Sequence, residues 1–387
     1  MSGLPSVPLL KTLGARASGE RQRRIEASPQ WNGSRFVNPE GARMASGVSA
    51  AWEWLTGGSP HRKPDASGVP VVRRTREDFA SPARGLRLTW MGHGTTLVEI
   101  GGRRLLVDPL WSGNASPGRL FGVKRFHAVP LALEDLPPLD AVLITHDHYD
   151  HLDAETVTAL AGRVPRWVCP LGVGARLEGW GVPPQAVTEL DWWESTVLSA
   201  TPEVSGVTVT ATPSRHFSGR FLTDRDSTLW CGFVLQAPEA SGGHSVYIGG
   251  DGGYSDGFRA VGERLGPFDV ALMEMGAYNE AWADIHLGPE QAVQAALDAK
   301  AKMLLPVHWA TFDLALHGWT EHAERALVAA REAGMPLALP RPGESVDVTP
   351  EAAGAEPTRW WPDLAWQTAE EAPVVSSGVD PARGLFH

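Results

Sequence analysis

The sequence predicts an α/β protein whose sheets are covered by helices. This unit spans residues 85–348, with a basic, partly ordered extension over 1–84 and a C-terminal tail over 349–387 that packs on it. Short apolar runs bounded by turn residues recur from Gly85 onward and read as strands. Segments of helical period are interleaved with them. A glycine pair separates two of the strand-like runs, a hairpin signal. At 387 residues the chain exceeds one minimal domain. A prior of about 150 residues per domain suggests two or three units, though one large α/β domain with extensions also fits. A hydrophobic share of 43% and a charged share of 20% give enough apolar surface for a sizeable core.

Residues 1–84 are rich in Arg, Gly, Pro and Ser, with one short helix expected around Ala50–Leu55. Leu86–Trp90 and Thr96–Ile100 alternate like strands, and Gly101-Gly102 leads into Arg103–Val107. Ala141–Thr145 is an unbroken apolar run, the kind of strand buried on both faces. Asp153 caps a helix through Ala161. Further strands are expected at Trp167–Cys169, Val207–Ala211, Thr228–Gln236, Ser245–Gly249, Val270–Glu274 and Met303–Val307. Helices are expected at Tyr254–Leu265, at Pro289–Ala299 with proline in its first turn, and at His322–Ala333. In the tail, Trp360, Trp361 and Trp366 argue for docking.

Formal net charge is −11, which speaks against a nucleic-acid binder held by phosphate contacts. Residues 1–84 nevertheless carry 13 Lys/Arg against 7 Asp/Glu. A solvated arm and an arm drawn to an anionic membrane surface both fit that excess. Cys169 and Cys231 sit in separate apolar runs and read as core thiols of a reducing compartment. No apolar run reaches the roughly 18 residues a membrane span needs, and the N-terminus lacks a signal-peptide pattern. A cytoplasmic protein, peripheral to a membrane at most, is the expectation.

The strongest chemical signal is Thr145-His-Asp-His-Tyr-Asp-His151, after a buried strand and before a helix. That position is the carboxyl end of a strand, where α/β sheets build sites. His146, His148, Asp150 and His151 are costly to bury together unless a cation compensates. Imidazoles suit Zn²⁺, and added carboxylates also accept Mn²⁺ or Fe²⁺. His216, Asp251 and His308 each follow another apolar strand. Together they supply donors for two divalent ions. His146, His148 and His216 would hold one, Asp150, His151 and His308 the other, with Asp251 and a hydroxide bridging them.

This ordered pattern, HxHxDH followed by single His, Asp and His at strand ends, resembles the metallo-β-lactamase superfamily. Within it the chain looks like the N-acylphosphatidylethanolamine phospholipase D group and its bacterial relatives. Arg35–Pro39, Trp90–Gly94, Val107–Pro109, Ala115–Pro117, Gly122–Phe126, Glu189–Glu194, Gly266–Asp269 and His308–Phe312 carry the likeness, with the His146–Asp153 stretch. It runs from about residue 35 to residue 345. The resemblance implies a four-layer αβ/βα sandwich with metals at the open edge between two sheets. No cysteine stands at a metal position, so the thiolate-containing arrangement of β-lactamases is absent.

The resemblance also implies a reaction, hydrolysis of a phosphodiester such as an N-acylated phospholipid, with Asp150 and Asp251 at the metals. His286 matches a histidine near the reacting group, suited to holding phosphate or helping the leaving group. Lactone or sugar-phosphate hydrolysis, as in the neighbouring ascorbate-6-phosphate lactonases, is the alternative. A non-catalytic binding protein of the same fold is a third reading. Asp108 is suited to accept a ligand histidine's free N–H, and His93 is a further supporting group. Trp111, Phe121, Phe217 and Trp309 flank the motifs as an apolar wall for a lipid, with Tyr278 and Arg215 as further pocket residues. Oligomeric state is left open.

Overall fold

A computed structural model describes residues 3–43, 57–83, 85–117, 122–199 and 206–378. The helix expected around Ala50–Leu55 and the wall residue Phe121 lie outside the described residues. Two sheets face each other. The first orders its strands β15–β1–β2–β3–β6–β7–β8. Here β1 is Arg87–Gly92, β2 Thr95–Ile100, β3 Arg103–Val107, β6 Ala141–Leu143, β7 Trp167–Pro170, β8 Val187–Leu190 and β15 Ser345–Asp347. The second orders β14–β13–β12–β11–β10–β9. Its strands are β9 Ser195–Leu198, β10 Val207–Thr212, β11 Gly232–Gln236, β12 Ser245–Ile248, β13 Val270–Glu274 and β14 Leu304–Val307. A small ribbon, β4 (Asn114–Ala115) with β5 (Val123–Lys124), stands apart.

Alternation along the strands explains the layers. Leu88 and Trp90 of β1, Leu105 and Val107 of β3, Ala141 and Leu143 of β6, and Val168 of β7 face the core between the sheets. Their neighbours Met91, Leu106, Val142, Trp167 and Cys169 face a second core on the outer side. Successive side chains of a strand point to opposite faces, so a sheet covered on both sides needs apolar residues at both parities. Two helices fill that outer layer, α2 (Ala154–Leu160) and α3 (Val173–Gly179), through Val157, Leu160, Val173 and Leu177. On the second sheet lie α4 (Gly257–Arg264), α5 (Pro289–Asp298) and α6 (Glu321–Ala333). The result is the expected four-layer αβ/βα sandwich.

Gly101 and Gly102, both at positive φ, make the tight turn between β2 and β3. From β3 the sheet continues in parallel through β6, β7 and β8, while β12, β13 and β14 run parallel in the other sheet. The carboxyl ends of β3, β6, β10, β12 and β14 lead directly into the segments that carry Asp108, His146, His216, Asp251 and His308.

Elements not expected from the sequence include α1 (Gly19–Glu26), α3, β8, β9, β15 and the β4–β5 ribbon. Strand β11 begins at Gly232 rather than Thr228, and α4 begins at Gly257 rather than Tyr254. The described parts of the N-terminal arm pack on the domain. Ile25 is buried in the core between the sheets. Arg21 pairs with Glu178 at 2.7 Å and Glu189 at 2.8 Å, and Arg62 with Asp313 at 3.0 Å. Part of the basic excess is therefore neutralised within the chain. The tail docks through Trp360 and Trp361, whose indole N–H groups donate to Leu339 O and Glu324 Oε1. Cys169 and Cys231 are free and buried. No described helix is long and apolar enough to cross a membrane.

Candidate metal centre

The segment after β6 continues extended, so alternate residues face opposite ways. His146 and His148 turn one way. Asp147 turns the other, where its Oδ2 accepts from Arg176 Nε at 2.7 Å and its Oδ1 from Gly219 N at 2.7 Å. The next turn, closed by His151 N–H and Leu152 N–H donating to His148 O, brings Asp150 and His151 around to the same side. Asp153 then caps α2 by accepting from Glu155 N.

Seven side chains predicted as ligands converge in two overlapping sets. Nδ1 of His148 lies 3.0 Å from His146 Nε2 and 3.2 Å from His216 Nε2. Beside this trio, Asp150 Oδ2 is 3.6 Å from His151 Nε2 and 3.4 Å from His308 Nε2. Asp251 Oδ2 stands between the sets, 4.0 Å from His146 Nε2, 3.2 Å from His151 Nε2 and 3.1 Å from His308 Nε2. It is held there by Gly250, at φ +65°, where a Cβ would approach Cys231 O to 2.7 Å.

Outer hydrogen bonds fix which ring nitrogen faces inward. Asp108 Oδ2 accepts from His151 Nδ1 at 2.8 Å and from the Thr145 hydroxyl at 2.7 Å. That hydroxyl accepts in turn from His146 Nδ1 at 3.0 Å. His216 Nδ1 donates to Ile285 O at 2.8 Å. His93 Nε2 donates to Asp150 Oδ2 at 2.9 Å. Both His93 (φ 54°) and Asp108 (φ 40°) occupy the left-handed region, uncommon for residues with a Cβ and concentrated at functional sites.

Electrostatics divide the histidines. Burial, and then neighbouring rings, push His146 and His216 well below the usual imidazole range; burial also lowers His148. These rings present neutral lone pairs. For His308 burial acts downward too, but the Asp251 and Asp150 carboxylates overcome it and raise the ring to about 10. The same carboxylates raise His151 against burial. Nε2 of both rings is buried without a hydrogen-bond partner. Orphaned nitrogens facing two carboxylates, with a neutral three-histidine set alongside, fit a pair of divalent ions bound by nitrogen and oxygen.

Other predicted residues fall into two groups. His286 is at the site, its ring 5.1 Å from that of His216 and its Nδ1 3.9 Å from Asp251 Oδ2. Phe217 is half-buried with its ring 4.4 Å from His148, at the rim. Trp111 and Trp309 instead belong to cores. Trp111 donates to Leu131 O, and Trp309 stacks on Trp90 with ring centroids 5.6 Å apart. A tryptophan beside a motif has the same sequence signature in either role. Arg215 is a structural clamp, bound to Asp284, Gly41 O and Ser377 O. The Tyr278 hydroxyl is bound to Glu321 Oε1 at 2.7 Å and its ring stacks on His317.

Glu274 went unnoticed in the sequence. It ends β13, is fully buried, and accepts from His286 Nδ1 at 2.7 Å. Burial raises its carboxyl against the lowering influence of His286. In return Glu274 raises His286, overcoming that ring's own burial. An acid closing an apolar strand was the available signal, the same one that marked Asp251.

A β-lactamase superfamily domain model matches residues 103–309. An uncharacterised protein of Mycobacterium tuberculosis is 43% identical over 334 residues, covering 84% of this chain and 86% of its own. The N-acyl-phosphatidylethanolamine-hydrolyzing phospholipase D 1 of Caenorhabditis elegans is 34% identical over 315 residues, covering 76% of this chain and 85% of its own. Among solved structures, Igni18, a metallo hydrolase of the archaeon Ignicoccus hospitalis, shares the fold. Its TM-score is 0.50 at 23% identity, over 67% of this chain and 97% of that one. The chain therefore belongs to the β-lactamase superfamily of metal-dependent hydrolases, and its relatives include N-acyl-phosphatidylethanolamine-hydrolysing phospholipases D.

Proposed function

We propose that this protein is a phosphodiesterase of the phospholipase D type that cleaves N-acylated phosphatidylethanolamine, with zinc as its metal. The observation that carries the reading is the pair of ligand sets meeting at Asp251. His146, His148 and His216 would hold one ion, Asp150, His151 and His308 the other, and Asp251 both. When bound, such ions supply Lewis acidity, lowering the pKa of a coordinated water and offsetting charge on phosphoryl oxygens. Asp108 and His93 hold the ligand rings and Asp150 in register. His286, at the rim, faces the leaving group. Phe217 gives the rim an apolar surface.

Peripheral contact with an anionic bilayer, and residence in the cytoplasm otherwise, belong to the same proposal. Leu9, Leu10, Phe221 and Leu222 are exposed large apolar side chains. Arg16 ties their two segments together by donating to Thr223 Oγ1 at 3.0 Å. Exposed Lys11 and Arg225 lie in the same segments, and the Arg225 guanidinium covers Phe217, 4.6 Å from its ring centre. An apolar surface set among cations beside the site suits a lipid substrate.

The test supplies N-acylphosphatidylethanolamine in mixed vesicles to zinc-loaded protein and follows products by mass spectrometry. Release of N-acylethanolamine and phosphatidic acid is expected. Hydrolysis of lactones with the lipid left intact would replace this reading by the lactonase one.

A further inference from the structure

The buried pair Glu274–His286 stands beside the predicted ligands. Oε1 of Glu274 accepts from Gly252 N at 2.6 Å, and its Oε2 accepts from His286 Nδ1 at 2.7 Å. Both carboxylate oxygens are thus engaged by donors, and the carboxylate has no exposure to solvent. Gly252 directly follows Asp251, so one side chain ties the bridging segment to the His286 ring. With Nδ1 committed, Nε2 is the ring's free atom. It has no protein partner among the described residues, and the side chain keeps 15% exposure at the rim of the site.

We propose that Glu274 is a positioning residue. By accepting Nδ1–H it orients the His286 ring and leaves Nε2 as the nitrogen that faces the leaving oxygen of a bound phosphodiester, a proton donor when the ring is the imidazolium. This rests on the phosphodiesterase reading above. In the step that Glu274 serves, the oxygen of an attacking water forms a bond to phosphorus. The bond from phosphorus to the leaving oxygen breaks, and its electron pair stays on that oxygen. The Nε2 proton of the His286 imidazolium passes to the same oxygen, giving a neutral alcohol and the neutral ring with its proton on Nδ1, and a proton released by the attacking water restores the imidazolium. A leaving group that is already stable as an anion needs no such proton, whereas an alkoxide does.

Glu274→Gln is the diagnostic change because glutamine offers one acceptor oxygen and one NH₂ where two donors converge. It satisfies Gly252 N–H or His286 Nδ1–H, not both. Rates are compared on bis-p-nitrophenyl phosphate, with a good leaving group, and on an N-acylphosphatidylethanolamine, with an alkoxide leaving group. Expected is a loss of about a hundredfold or more on the lipid and under about fivefold on the nitrophenyl ester. Metal content should be unchanged. The His286 ¹⁵N signals, identified by their absence from His286→Gln, should move away from the Nδ1–H pattern in Glu274→Gln.

Equal losses on both substrates, loss of metal, or an unchanged tautomer would each overturn the positioning role. Should Glu274→Gln fail to fold, His286→Gln changes only the rim ring and must show the same selectivity for the lipid; uniform loss there defeats the proposal. In the double variant the two effects should not add. If the wild type cleaves neither diester, the phosphodiesterase reading fails, and the tautomer measurement still decides what Glu274 does.

Discussion

Asp108 Oδ2 lies 2.8 Å from His151 Nδ1, while the opposite nitrogen of that ring, Nε2, lies 3.2 Å from Asp251 Oδ2. One carboxylate thus sets the tautomer of a ring that faces another. Through Thr145 it orients His146 as well. Partners of this kind raise ligand basicity, and their loss lowers metal affinity about 10–100-fold. Asp108→Asn should therefore weaken zinc binding by that factor. Competition with a chelator of known affinity checks it, and unchanged affinity would mean Asp108 is only a strand-end anchor.

Asp251→Asn tests the bridge. Asparagine nearly matches aspartate in size but is neutral, and its NH₂ ligates metal poorly. The variant should stay folded while losing part of its metal. Turnover of bis-p-nitrophenyl phosphate should fall at least about a hundredfold, roughly 2.7 kcal/mol of transition-state stabilisation. A folded variant with its full metal content and near-normal turnover would remove Asp251 from the bridging position.

Beneath the site, Arg176 holds the ligand segment from behind. It is buried and binds Asp147 Oδ2 at 2.7 Å through Nε, Asp224 at 3.0 Å and Leu13 O at 2.6 Å. Burial pushes Asp147 up, but Arg176 and the other cations around it overcome this and hold it below its ordinary value. A depressed carboxylate contributes stability above its unfolded pKa, about 3.9, and loses it as pH falls through the folded value. Arg176→Met strands that charge and should cost about 3–5 kcal/mol at pH 7. The deficit against wild type should shrink below about pH 4. Urea titrations at pH 7 and pH 3 measure it; a deficit independent of pH would assign Arg176 a packing role alone.

Much of the first sheet was legible because Gly85 and Gly101-Gly102 punctuate its early strands and its strands are apolar at both parities. The ligand segments were legible because each follows such a strand. Elements α3 and β8 were not. Val173–Gly179 is a short helix whose N-cap, Gly172, has no side chain to announce it, and β8 carries Thr188 and Glu189 in an otherwise apolar strand. Glu189 faces donors that sequence does not place beside it, the backbone N–H groups of Gly172 and Gly174 and the guanidinium of Arg21. The same limit explains Trp309 and Arg215. Their residue types suit a pocket, but Trp90, Trp360 and Asp284, distant along the chain, enclose them.

The paired metal centre is tested most directly by counting metal. Elemental analysis of protein loaded with zinc and freed of excess by gel filtration should give two ions per chain. His146→Ala/His148→Ala should lose at least one of them. One ion or none in the wild type, or an unchanged count in the double variant, would contradict the account.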